Sequence, residues 1–166
     1  MLRIFRQSRT THPYFKEGDS KTLHSTHFLW VVIDMFKITK KEKIADKIHM
    51  LSIQCPEIAR KISPGQFIMV RVDETSERAH FDYHGGTKKD INIVFEENPS
   101  TKALVNMKKG NTLFEVVGPL GTPSKLGPFT NLCLVGEGAG IASIYNLAAS
   151  IKSKNNRIIA ILGASS

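Results

Sequence analysis

Apolar and polar residues alternate over residues 36–39 and again over residues 48–53. A period of two marks a half-buried strand. Residues 45–47 join the two as a short turn. Pro56 opens one helical turn over residues 56–61, at the position proline prefers. Ser63-Pro64-Gly65 is a turn signal that launches a strand over residues 66–72. Residues 73–77 are polar and loop-like, residues 78–83 form a short strand, and residues 84–89 form a glycine-containing loop. Residues 91–95 are the next strand. Asn98-Pro99-Ser100-Thr101 signals a helix start, with Ala103, Leu104 and Met107 at helical spacing before Gly110. A strand over residues 112–117 runs into a tight loop, Gly118-Pro119-Leu120-Gly121.

The texture changes after Lys125. Residues 131–135 are continuously apolar, as in a strand of a parallel sheet. Residues 136–140 are glycine-rich, and residues 141–153 are helical with Ile144, Leu147, Ala148 and Ile151 on one face. Asn155-Asn156 turns the chain into a second apolar strand, residues 157–162. This order predicts one βαβ unit. A single unit leaves one face of its sheet uncovered, so apolar surface should stay open. The chain thus divides into an extension at 1–34, a β domain at 35–126 and an α/β unit at 127–166.

Composition supports a folded chain: 41% of the 166 residues are hydrophobic and 23% are charged, enough for a core and against wholesale disorder. The longest apolar run, residues 28–33, falls far short of the about 20 residues a membrane-spanning helix needs. The net charge of +8 is uneven: residues 1–16 carry +4, residues 17–34 carry −2 and the remainder +6. The first eleven residues are rich in Arg, Ser and Thr and contain no acid, which suits either an organelle-targeting presequence or an extension without structural role. The corresponding locations are an organelle matrix or the cytoplasm. Elsewhere lysines mix with acids and no basic stripe interleaves with aromatics. That describes a solvated basic surface, an attraction to an acidic electron carrier or anionic cofactor, or, less directly, a nucleic-acid-binding barrel. Cys55 and Cys133 match no metal-ligand spacing, and Cys133 is expected as a buried strand residue.

Four segments carry candidate chemistry. Gly136-Glu137-Gly138-Ala139-Gly140 follows a buried strand and opens a helix, where a dinucleotide loop sits; a ligand-free strand-to-helix turn is the other reading. A carboxylate at Glu137 would repel a pyrophosphate unless it points away. Ser100 and Thr101 sit at a helix start, as simple caps or as an anion site. Gly118, Pro119, Leu120 and Gly121 form a rigid turn that can border a cleft between domains. In Glu77-Arg78-Ala79-His80-Phe81-Asp82-Tyr83, Arg78 can pair with a phosphate and Phe81 or Tyr83 can pack on an aromatic cofactor; a surface strand of mixed charge is the alternative. His80 and Asp82 lack a nucleophilic Ser or Cys in an elbow, so hydrolase chemistry has little support. The other histidines give no metal spacing, and no metal site is expected.

Together the segments resemble the electron-transfer subunits related to ferredoxin–NADP reductase: the small subunit of NADH-dependent reduced ferredoxin–NADP oxidoreductase, the sulfide dehydrogenase subunit and the electron-transfer subunit of dihydroorotate dehydrogenase. The resemblance runs over residues 35–164. It is carried by Pro64-Gly65-Gln66-Phe67, Glu77-Arg78, Ile93-Val94-Phe95, Ser100-Thr101-Lys102, residues 117–123 and residues 135–142. It implies a six-stranded antiparallel FAD-binding β-barrel followed by a partial α/β Rossmann-like nucleotide-binding domain. By carry-over, the segment Arg78, His80, Phe81, Asp82 should meet the flavin, with Val94, Phe95 and Glu96 near its ring and ribityl chain. Ser100 and Thr101 should hold its pyrophosphate, and Gly118, Pro119, Leu120 and Gly121 should border the cleft. Gly136, Gly138 and Gly140 should serve NAD or NADP.

The implied activity is that of an oxidoreductase subunit passing electrons between NAD(P)H, FAD and an iron–sulfur partner: a larger iron–sulfur/flavin subunit, with a ferredoxin-type carrier as a further partner. Three departures from the family pattern stand out. His80 and Asp82 occupy positions usually held by Pro and by Thr or Ser. Glu137 and Ser143 replace a neutral residue and a Pro. The family continues about a hundred residues further, to cysteines for a two-iron cluster, so this chain reads as truncated and those ligands are absent from it. The competing class is a non-catalytic β-barrel interaction module of the same descent.

Overall fold

A computed structural model of the chain describes residues 36–125, 127, 131–151 and 156–163. The expected extension at 1–34 lies outside the described residues, as do residues 152–155 of the expected helix end and turn.

The first hairpin pairs β1 (Phe36–Ala45) with β2 (Ile48–Gln54) through a two-residue turn in which Lys47 takes a positive φ of 55°. The sequence predicts a four-residue first strand, but β1 is ten residues long. Its second half, Lys40, Lys41, Glu42, Lys43, lacks alternation; pairing with the strongly apolar β2 draws it into the ladder. On its other side β1 is paired only at Phe36 and Lys37, with Leu113 and Thr112. The charged run therefore borders the sheet, where charge discourages further strand pairing.

Next come α1 (Pro56–Ala59), a single turn with Pro at its start, β3 (Phe67–Arg71), β4 (Ala79–Asp82) and β5 (Asp90–Glu96). α2 (Lys102–Asn106) leads into β6 (Thr112–Leu113) and β7 (Glu115–Leu120). Two antiparallel sheets result, ordered β5-β2-β1-β6 and β4-β3-β7. The stretch from Thr112 to Leu120 serves both, leaving one and entering the other at Phe114. Gly118, Pro119 and Leu120, expected as a tight loop, instead continue β7, with Leu120 paired to Phe67. Glycine is required at 118 because a Cβ there would lie 2.7 Å from Ile68 Cγ2.

The two sheets share one apolar cluster. Ile38, Leu51, Ile53, Ile91 and Ile93 come from the first and Ile68, Val70 and Phe81 from the second, all nearly inaccessible to solvent. The Phe81 and Phe95 rings meet edge to face, with centroids 5.8 Å apart. Gln66 is buried too: it accepts from the Ser63 amide at 3.0 Å and donates to the Gly121 carbonyl at 2.9 Å. The Pro64-Gly65-Gln66 turn is thereby fastened to the end of β7.

After these sheets come β8 (Asn131–Glu137), α3 (Gly140–Ile151) and β9 (Arg157–Gly163), with β8 and β9 parallel. Gly136 and Glu137 lie in β8, so the glycine loop reduces to Gly138, with φ of 53°, and Ala139. The expected open apolar surface is present: Val135, Ile159 and Ile161 are about half or more exposed. Cys133 is exposed with them, not buried as its apolar run suggests. It pairs with Ile159, and Val135 with Ile161, so the four residues share one sheet face that no described residue covers.

Two outcomes follow. Ile93→Ala, at a fully buried site, should cost about 2–5 kcal/mol, read from the urea midpoint. Burial pushes the Cys55 thiol up to about 12, so in native protein a thiol reagent should label Cys133 fast and Cys55 only on unfolding.

Candidate functional site

The alternation that builds the core also builds a cleft. Along β4, Phe81 points into the core while its neighbours His80 and Asp82 are exposed; along β5, Ile91, Ile93 and Phe95 are buried while Glu96 is exposed. These strands, the segment Asn98–Leu104 and the start of α3 enclose a cavity of about 690 Å³. That volume lies within the roughly 300–1,000 Å³ of small-molecule and cofactor sites.

Of the residues predicted for a cofactor, Arg78, His80, Phe81, Asp82, Val94, Phe95, Glu96, Ser100, Thr101 and Gly140 line this cavity. Ser76, Glu77, Asn98, Ala103, Ala139 and Ser143 line it as well. Gly118, Pro119, Leu120 and Gly121 do not line it; they lie on or beside β7, and the Gly121 carbonyl is taken by Gln66. Gly136 and Gly138 are also outside the lining. Gly136 is where β8 approaches the helix, since a Cβ there would lie 2.7 Å from Ile144 Cδ1. Phe81 is 5% exposed, so it supplies cavity floor and not a free aromatic face.

The helix-start segment is held by its own side chains. Asn98 Oδ1 accepts from the Ser100 amide at 2.9 Å, the Ser100 hydroxyl at 2.6 Å and the Thr101 amide at 3.1 Å. The buried Thr101 hydroxyl donates to the Glu96 carbonyl at 2.6 Å. These contacts join the end of β5 to α2 and set the shape of that wall.

Electrostatically the cleft is mixed. Glu77, Asp82 and Glu96 bring carboxylates, and Arg78 is the one Lys or Arg among its lining residues. Arg78 Nε and Nη2 donate to the two carboxylate oxygens of Glu115 at 2.8 and 3.0 Å, a bidentate pair. Those bonds raise the Arg78 pKa and hold the Glu115 carboxyl below its ordinary range. Arg71 approaches the same carboxylate at 4.0 Å and stacks on Phe114, 4.7 Å from the ring centroid. Sequence reading missed Glu115; only its place facing a β3 arginine in the ladder would have signalled it. The Glu115 pair engages one edge of the Arg78 guanidinium and leaves the remaining terminal nitrogen available to a ligand. His80 Nε2 lies 3.4 Å from Asp82 Oδ1, and the His80 ring meets Phe67 edge-on at 4.4 Å.

No protein-family model matches the chain. Among curated proteins, the Thermotoga maritima dihydroorotate dehydrogenase B (NAD(+)) electron transfer subunit homolog is 36% identical over 132 residues, covering 77% of this chain and 46% of that protein. A chain of the NADH-dependent reduced ferredoxin-NADP oxidoreductase superposes with a TM-score of 0.75 at 34% identity, covering 80% of this chain and 49% of its own. This chain is a homologue of ferredoxin–NADP reductase-like electron-transfer subunits. It spans about half the length of the relatives it matches. Phthalate dioxygenase reductase, with a TM-score of 0.66 at 19% identity, shares the fold of this ferredoxin–NADP reductase-like chain. No helix of the described residues is long and apolar enough to cross a membrane, and no group of three or more potential ligands gathers there for a metal.

The Arg78–Glu115 pair has a pH signature. Because the Glu115 pKa is depressed in the folded state, its stabilising share is full above the ordinary glutamate titration and fades as pH falls through the lower folded value. A carboxyl NMR titration should find Glu115 below the usual range, and Arg78→Met should return it upward.

Proposed function

We propose that the cleft holds FAD and that the chain moves electrons between NAD(P)H, FAD and an iron–sulfur partner. The observation that carries this is convergence: residues 78–82, 94–96 and 100–101, distant in sequence, meet in one cavity of cofactor size. The homology to electron-transfer subunits supports the same reading.

The residues present fit FAD. An apolar floor of Val70, Phe81, Val94 and Leu104 suits a flat ring system, and polar side chains on β4, β5 and the segment at residues 98–101 rim it. Arg78, oriented by Glu115, would meet a phosphate with its remaining nitrogen; the Ser100 and Thr101 amides are taken by Asn98 Oδ1. When bound, FAD supplies hydride acceptance and single-electron release. The protein's part is to bind, to orient and to exclude water. The carboxylates of Asp82 and Glu96 disfavour added negative charge in the cleft, so reduction should be harder here than beside hydroxyls.

The β8–α3–β9 segment would be the beginning of a Rossmann-like NAD(P)-binding domain, with Gly136, Gly138 and Gly140 on its first turn. The barrel would comprise residues 35–126, and a larger iron–sulfur/flavin subunit or a ferredoxin-type carrier would take the electrons. The cytoplasm is the proposed location. A second reading, a flavin-free interaction module, draws on the occupied Arg78 fork and the cleft carboxylates.

Titration with FAD, followed by flavin fluorescence and absorbance, decides between them. Saturable binding should appear, and Arg78→Ala should weaken it about tenfold. A chain that stays colourless and leaves added FAD unbound would overturn the FAD reading in favour of the module.

A further inference from the structure

The barrel-side wall of the cleft and its α3-side wall meet along a narrow polar seam. Three consecutive residues, Asp82, Tyr83 and His84, each bond to the first two turns of α3. The Ser143 hydroxyl donates to Asp82 Oδ2 at 2.9 Å, and Asn146 Nδ2 donates to the Tyr83 carbonyl at 3.1 Å. His84 Nδ1 lies 2.7 Å from the Ala142 carbonyl. Ser143 and Asn146 are three apart on the helix, and so face the same way. Two of these bonds end on backbone carbonyls, which any sequence would offer. The Asp82–Ser143 bond alone joins two side chains, and both line the cavity. The other Asp82 oxygen faces His80 Nε2 at 3.4 Å.

We propose that Asp82 and Ser143 form a latch that fixes the separation of the two walls, and thereby the width of the cleft and the seat of the Gly138–Gly140 turn. They are positioning residues. The latch itself is independent of which ligand the cleft takes; its effect on FAD rests on the reading above.

Hydrogen exchange on the ligand-free chain tests the latch. In Ser143→Ala and in Asp82→Ala, amides in the first two turns of α3 should exchange about three- to tenfold faster, with β2 and β5 unchanged as the control for folding. Ser143→Ala raises helix propensity, so a purely local effect would slow exchange instead. The double variant should be no faster than the faster single one. Asp82→Asn, whose amide oxygen still accepts, should stay within about twofold of the unaltered protein. Unchanged or slower exchange in Ser143→Ala, or multiplying effects in the double variant, would overturn the latch. FAD titration separates this from the proposed function. If the unaltered chain binds no FAD, that reading fails while exchange still decides the latch. If it binds, Ser143→Ala should weaken affinity about threefold or more, and unchanged affinity would refute the claim about cleft width.

Discussion

Everything in this molecule depends on the registration of β4 and β5 against the shared apolar core. Their period of two sends Phe81, Ile91, Ile93 and Phe95 inward and leaves His80, Asp82 and Glu96 at the cleft. A slip of one residue in either strand would exchange the two sets. The cleft has no separate scaffold: its floor is the outer surface of the same cluster that stabilises the sheets. The edge-to-face contact of Phe81 with Phe95 joins the two strands where the floor is formed.

Charge is the second organising feature. A cleft meant for a dianionic pyrophosphate would ordinarily gather cations, yet this one sets Glu77, Asp82 and Glu96 around a lone Arg78 already paired with Glu115. The arrangement is workable because a guanidinium has donors on more than one edge. Glu115 fixes the side chain at the loss of some of its field, exchanging long-range attraction for geometry. The chain's net positive charge resides elsewhere, much of it on the β1 border and at residues beyond the cleft.

Local pattern made much of the fold legible. Alternation located β2 to within about a residue, the Ser63-Pro64-Gly65 turn signal located β3 as closely, and a period near 3.6 located α3, because each of these elements has one face on apolar neighbours. It failed where tertiary pairing overrides local preference. Lys40 to Lys43 have no apolar face, yet β2 draws them into a strand. Gly118-Pro119 has the composition of a turn but lies in β7, since close approach to Ile68 demands a residue without Cβ. Cys133 sits in an apolar run whose outward face nothing described covers. At the site, the segments around Arg78, Val94 and Ser100 were readable as motifs and do converge. The Arg78–Glu115 and Asp82–Ser143 bonds were not, because they link residues 37 and 61 positions apart, and no local period encodes a partner at that distance.

The strand that passes from one sheet to the other at Phe114 has a mechanical consequence. Thr112 and Leu113 are bonded into the ladder of β1, and the residues after Phe114 into that of β3. A displacement of either sheet is therefore carried by continuous backbone into the other, through the same strand that bears Glu115. The two halves of the β-structure are thereby geared together. The barrel thus presents its walls of the cleft as one piece, with α3 held against it by the bonds at Asp82, Tyr83 and His84.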